Sequence, residues 1–155
     1  MSAPKIALFP GSFDPFTKGH EDIVLRSLSL FDKIVIGIGV NATKSRYFVA
    51  ELMRDKVQST FQNIDRVEVA IFKGLTARFA QQIGARFILR GVRNTTDFEY
   101  ENTIAQANKY LADGLETIFL ITSPHLSFIS STIVRDPHRH KADVSAFLPF
   151  NIESA

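Results

Sequence analysis

Residues 9–23, FPGSFDPFTKGHEDI, hold two prolines, two glycines and three phenylalanines between an apolar run and an amphipathic one, and His20 follows Gly19 directly. Pro10, Gly11 and Ser12 turn the chain off a strand, and His20 falls in the first turn of a helix. There the positive end of the helix dipole disfavours imidazolium, so the ring is predicted to be neutral and able to donate one N–H to an anion. Ser12 can add a hydroxyl and its own backbone N–H. The bland reading is a core histidine satisfied by a backbone carbonyl. Against it stand Lys44, just past a second strand, and Arg90 and Arg93 at the end of a fourth. Alone, RGVR at 90–93 reads as a solvated loop; at the carboxyl end of a strand it reads as an anion site. Ser130, Ser131 and Thr132 open a later helix, where one serves as N-cap and all three, with their free amides, form an anion nest. The chemistry these residues share is phosphate binding.

Positioning them requires a frame. Apolar, β-branched runs near Lys5 to Phe9, Lys33 to Val40, Arg66 to Phe72, Arg86 to Arg90 and Glu116 to Thr122 predict five strands. Between them His20, Ile23, Val24, Ser27, Leu28 and Phe31 keep a helical period, and further helices are predicted at about Ala50 to Phe61, Thr76 to Ile83 and Thr96 to Ala112. A short helix from Ser130 toward Arg135 should end at Pro137. Near-continuous apolar strands joined by helices imply an α/β domain with a doubly wound, five-stranded parallel sheet, covering residues 1–155 without a linker. Ligands of such sheets collect beyond the carboxyl ends of the strands, which directs attention to loops 10–19, 41–48, 73–75, 91–95 and 123–129.

Composition narrows the field. Eighteen Lys and Arg against sixteen Asp and Glu leave too small an excess to imply nucleic acid or a membrane surface. No cysteine is present, so thiolate chemistry and disulfides are excluded, which fits a reducing, cytoplasmic setting. The N-terminal residues carry no apolar signal-like core. Gly37-Ile38-Gly39-Val40-Asn41-Ala42 matches a dinucleotide fingerprint in letters but not in context, since its glycines alternate with Ile and Val inside a strand and no helix start follows. Small packing neighbours are the expected reason for them. His138 and His140 lack a third ligand at a persuasive spacing and read as surface histidines. Asp97 reads as a first-turn helix residue and Asp14 as turn chemistry before Pro15.

GSFDPFTKGH (11–20) resembles the T-x-G-H form of the H-x-G-H signature of the nucleotidylyltransferase superfamily. LRGVRNTTDFEYE (89–101) and SFISSTIVRD (127–136) resemble two further blocks in the right order and spacing, and together the three are similar to bacterial phosphopantetheine adenylyltransferases over nearly the whole chain. The resemblance implies a Rossmann-like nucleotidylyltransferase fold and transfer of AMP from Mg·ATP to 4'-phosphopantetheine, giving dephospho-coenzyme A and pyrophosphate. It implies Mg²⁺ carried by the ATP phosphates, a homohexamer, coenzyme A as a feedback inhibitor, and no nucleic-acid or membrane partner. The residue chemistry agrees, because a phosphate monoester is already an anionic nucleophile and needs positioning more than a general base.

By the same resemblance His20, Ser12, Lys44 and Arg90 are catalytic, the first two donating to the α-phosphate and the others holding the acceptor phosphate. ATP is implied at Ser12, Phe13, His20, Gly91, Val92, Arg93 and Glu101. Its phosphates and adenine side are implied against Leu126, Ser127, Phe128, Ile129, Ser130, Ser131 and Thr132. Leu75, Thr76 and Asn108 are implied along the pantetheine arm. Ser12 stands where many relatives carry Thr, Leu126 where an aromatic is common, and Ala142 where Gly is common. Two rival readings are a sibling transferase acting on another phosphorylated acceptor, such as nicotinamide mononucleotide, and a nucleotide-binding module without turnover.

Overall fold

The alternation of apolar strands and amphipathic helices closes, in a computed structural model describing residues 2–152, into one parallel sheet. Chain order runs β1 (Ile6–Gly11), α1 (Lys18–Ser27), β2 (Lys33–Val40), α2 (Ala50–Thr60), β3 (Val67–Lys73), α3 (Thr76–Gln82), β4 (Phe87–Val92), α4 (Thr95–Leu111), β5 (Glu116–Ile121) and α5 (Ser131–Arg139). Strand order is β3-β2-β1-β4-β5. The chain therefore steps outward from β1 in one direction, returns, and steps outward in the other. Right-handed crossovers then put α1 and α2 on one face and α3 and α4 on the opposite face. Alternate residues of the central strands feed the two cores: Ala7, Phe9, Ile34, Ile36 and Ile38 pack with Val24, Met53 and Val57, whereas Leu8 and Val35 pack with Ala77 and Ala80.

The reversal of strand order opens a crevice. β1 pairs with β2 along its length, from Ile6 with Lys33 to Gly11 with Ile38, but with β4 at Ala7–Phe87 and Leu8–Ile88. Past that point Pro10 has no N–H for either ladder, and the Arg90 guanidinium reaches across to donate to the Pro10 carbonyl. Gly37 and Gly39 lie in β2. A Cβ on Gly37 would stand 2.8 Å from Leu8 Cδ1 and 3.1 Å from the Phe72 ring, so large neighbours, not the small ones expected, explain this glycine.

Two further expectations are corrected. Helix α5 does not end at Pro137 but continues to Arg139. The ring costs one backbone bond, while the Pro137 carbonyl accepts from His140 and Ala142 and keeps the last turn closed. His138, expected at the surface, is buried on that turn, with Nδ1 2.6 Å from the Tyr47 hydroxyl and its ring edge-on to Phe48. His140 is exposed, as read from the sequence.

Candidate active site

Thr17 is the N-cap of α1, and its hydroxyl accepts from the His20 backbone N–H. In return His20 Nδ1 accepts from the Thr17 N–H at 3.0 Å, closing a capping box in which histidine replaces the usual glutamate. A lone pair on Nδ1 puts the ring proton on Nε2, at the far edge. The ring is walled by Phe13 and Phe16, with centroids 5.0 and 5.3 Å away, and by Phe9. Burial, reinforced by the charges of Arg90 and Arg93, lowers its pKa to about 3. His20 is thus a neutral donor.

Its open edge lines a cavity of ≈200 Å³ together with Gly91, Arg93, Ile129, Ser130 and Ser131. Ser130 caps α5 by accepting from the Ile133 N–H, so the start of that helix, at Ser130 and Ser131, borders the same space. Arg93 is forked onto Asp97. Burial alone would raise the Asp97 pKa, but the hydrogen bonds and charge of Arg93 outweigh it and hold it below the ordinary value.

Arg90 and Glu101 form the wall between this cavity and a second of ≈310 Å³. Glu101 Oε2 and Oε1 accept from Arg90 Nε and Nη2 at 2.8 and 2.5 Å, and Glu101 is 8% exposed. The second cavity is lined by Ser12, Thr76 and Asn108 among apolar residues including Val40, Phe72 and Ile104. Ser12 also borders a third, of ≈540 Å³, with Lys44, Arg46, Arg135 and Arg139. The geometry offers one neutral donor, the Arg93 cation and a helix start on one side of an ion-paired wall, with a largely apolar cavity on the other.

A family model described as cytidylyltransferase-like matches residues 8–136. Over 148 residues the chain is 64% identical to the phosphopantetheine adenylyltransferase of Cytophaga hutchinsonii, covering 96% of this chain and 99% of that one. This chain belongs to the phosphopantetheine adenylyltransferase family. The same-named protein of Bacteroides thetaiotaomicron is 47% identical over 147 residues, 95% of this chain and 97% of its own. In fold the chain is similar to a bifunctional NMN adenylyltransferase/ADP ribose pyrophosphatase from Francisella tularensis, at a TM-score of 0.69 and 15% identity. The match takes in 97% of this chain and 46% of that longer one.

Within this family member, the residues picked from sequence fall into distinct groups. His20, Arg93, Gly91, Ile129, Ser130 and Ser131 share the first cavity; Ser12, Thr76 and Asn108 the second; Arg90 and Glu101 touch both. Lys44 is exposed on the third. Phe13 and Val92 are buried, Leu75 is 54% exposed, and Leu126, Ser127, Phe128 and Thr132 lie outside these three cavities. Phe128 is edge-on to Phe147, and Thr132 accepts from Arg135. Asp14 does more than form a turn: its carboxylate accepts from the Tyr47 and Phe48 N–H groups at 2.8 and 2.7 Å, tying two loops together.

The sequence reading gave no role to Thr17, although it opens the T-x-G-H signature, nor to Arg46 and Arg135. A signal for Thr17 existed, since Thr-x-x-His has capping-box spacing. Arg135 falls within the SFISSTIVRD block, but nothing near Arg46 distinguishes it from a solvated arginine.

Among the described residues no helix is long and apolar enough to cross a membrane.

Proposed function

We propose that this protein transfers AMP from ATP to 4'-phosphopantetheine, forming dephospho-coenzyme A and pyrophosphate. The observation that carries the reading is His20, held neutral with Nδ1 occupied and its N–H edge facing the cavity that Arg93 and the start of α5 also line. A phosphate oxygen of the acceptor attacks the α-phosphorus. A new P–O bond forms as the bond to the α–β bridging oxygen breaks, and its electron pair leaves with pyrophosphate. No proton has to be removed from the nucleophile, so a ring that can only donate fits this chemistry, with Nε2–H binding an α-phosphate oxygen as its charge rises. Ser12, which lines the second and third cavities, is assigned a donor role toward the same phosphate, Lys44 and Arg90 hold the acceptor phosphate, and Arg93 with Ser130 and Ser131 holds the leaving pyrophosphate. The apolar channel with Thr76 and Asn108 takes the pantetheine arm.

Mg²⁺ belongs to the proposal as part of Mg·ATP, where it screens phosphate charge. The nearest carboxylates, Glu101 and Asp97, are both engaged by arginines, which favours an ion borne by the nucleotide over one caged by the protein. A homohexameric, cytoplasmic enzyme restrained by coenzyme A completes the reading, and a solution mass of six times 17.4 kDa would support the assembly.

The test is incubation with Mg·ATP and 4'-phosphopantetheine, reading dephospho-coenzyme A by mass and pyrophosphate by coupled assay. Both products are expected. Turnover with nicotinamide mononucleotide alone would move the protein to the sibling reaction, and pyrophosphate from neither acceptor would remove it from catalysis.

A further inference from the structure

Four consecutive carbonyls in the loop between β1 and α1 are each taken by a side chain from elsewhere in the chain. Arg46 Nη1 donates to Ser12 O at 2.6 Å and Nη2 to Phe13 O at 3.3 Å. Arg135 Nη1 donates to Asp14 O and Ser131 Oγ to Pro15 O, both at 2.8 Å. The third nitrogen of Arg46, Nε, donates to Phe48 O, and its charge lies 3.9 Å from Asp14 Oδ1. Its side chain is 15% exposed. A guanidinium so committed is not waiting for an anion.

What it holds is an unusual backbone. Phe13 has φ of +45°, a left-handed conformation that a bulky L-residue adopts only when its surroundings fix it. Arg46 grips that residue by its own carbonyl and by the carbonyl before it. On the other side the Phe13 ring lies edge-on to Phe9 at 5.2 Å and to His20 at 5.0 Å. Resting on the function proposed above, we propose that Arg46 is a positioning residue for adenylyl transfer: it fixes the left-handed turn at Phe13 and, through the Phe13 ring, the aim of the His20 donor, without touching substrate.

Charge and shape are separable by Arg46→Lys, because an ammonium keeps the positive charge beside Asp14 but cannot fork onto two successive carbonyls. Against a wild type that makes dephospho-coenzyme A, Arg46→Lys is expected to lower kcat by about 10- to 100-fold, the scale of a small misplacement of a catalytic group. KM for ATP and for phosphopantetheine should stay within about threefold. Phe13→Leu should lower kcat similarly, and the double variant should be no worse than the more impaired single one, since both act along one path. The ring ¹⁵N shifts of His20, read without substrate, should move in Arg46→Lys. Unchanged kcat, a rise confined to the phosphopantetheine KM, or multiplicative losses in the double variant would each overturn the assignment. Should Arg46→Lys fail to fold, Phe13→Leu with an unaltered kcat overturns it alone. A wild type that makes no product refutes the proposed reaction instead, and the His20 shifts still test the positioning.

Discussion

At the scale of single residues, His20 is specified twice, by charge and by direction. Its pKa near 3 means that lowering the pH does not put a proton on the ring in the folded protein until well below neutrality. The kcat profile should therefore show no inflection from His20 between about pH 5 and 8, where an ordinary histidine titrates; an acid limb near 6.5 that vanishes in His20→Gln would contradict this. Stability behaves oppositely. The unfolded chain binds a proton at His20 below 6.5 while the folded chain does not until about 3, so across that window the unfolded state holds more protons and stability falls as pH falls. Urea midpoints measured from about pH 7 to 5 should decline more steeply in the wild type than in His20→Gln. For catalysis, His20→Ala should lower kcat by about 10² to 10³, the loss typical of a single transition-state donor, with nucleotide affinity by calorimetry little changed. That His20 heads the inward face of α1 was legible in the sequence, from its i, i+3, i+4 spacing with Ile23 and Val24. Its tautomer was not, because that depends on the Thr17 backbone. The burial of His138 was likewise hidden, since its partner Tyr47 is 91 residues away in the chain.

At the scale of elements, α1 does two jobs with one cap. Thr17→Val keeps the β-branched shape but loses the hydroxyl that accepts from His20 N–H and contacts Nδ1. It should destabilise the protein by about 1 kcal/mol and lower kcat as well, while Thr17→Ser should retain both; chemical denaturation and initial rates on the three proteins decide it. β2 is constrained differently. Gly37→Ala would push a methyl group onto Leu8 and Phe72, two side chains packed against the buried sheet, and should cost about 1–3 kcal/mol by urea denaturation. Strand and helix types were readable because their periods are strong. The end of α5 was not, since whether Pro137 stops a helix depends on what holds the turn after it, and His138 packed on Tyr47 and Phe48 is a tertiary contact. The alternation of glycines with Ile and Val placed them inside β2, as the structure has them, yet it did not say that Phe72, from the neighbouring strand, lies across them.

At the scale of the molecule, the sequence predicted a doubly wound sheet but not which strands meet at its centre, because any order compatible with right-handed crossovers satisfies the same apolar pattern. The order β3-β2-β1-β4-β5 supplies the missing fact: it brings the loops after β1 and β4 to one crevice, and with them His20, Arg90 and Arg93. Ser130 and Ser131, read from the sequence as part of an anion nest, come from beyond β5 to close the same space. A nucleotide spanning both sides should slow amide exchange in the 9–13 and 88–93 segments together, whereas a ligand held by one half would protect one segment alone; mass-detected exchange with and without Mg·ATP separates these outcomes.

The short register between β1 and β4 has a mechanical corollary. With two backbone pairs and one arginine side chain across it, this mid-line is the least stitched seam of the sheet, and the cavities open along it while the cores beneath run continuously from β2 to β4. Substrate then works as a rivet, and the enzyme should be stiffest when loaded and easiest to prise apart immediately after product departs.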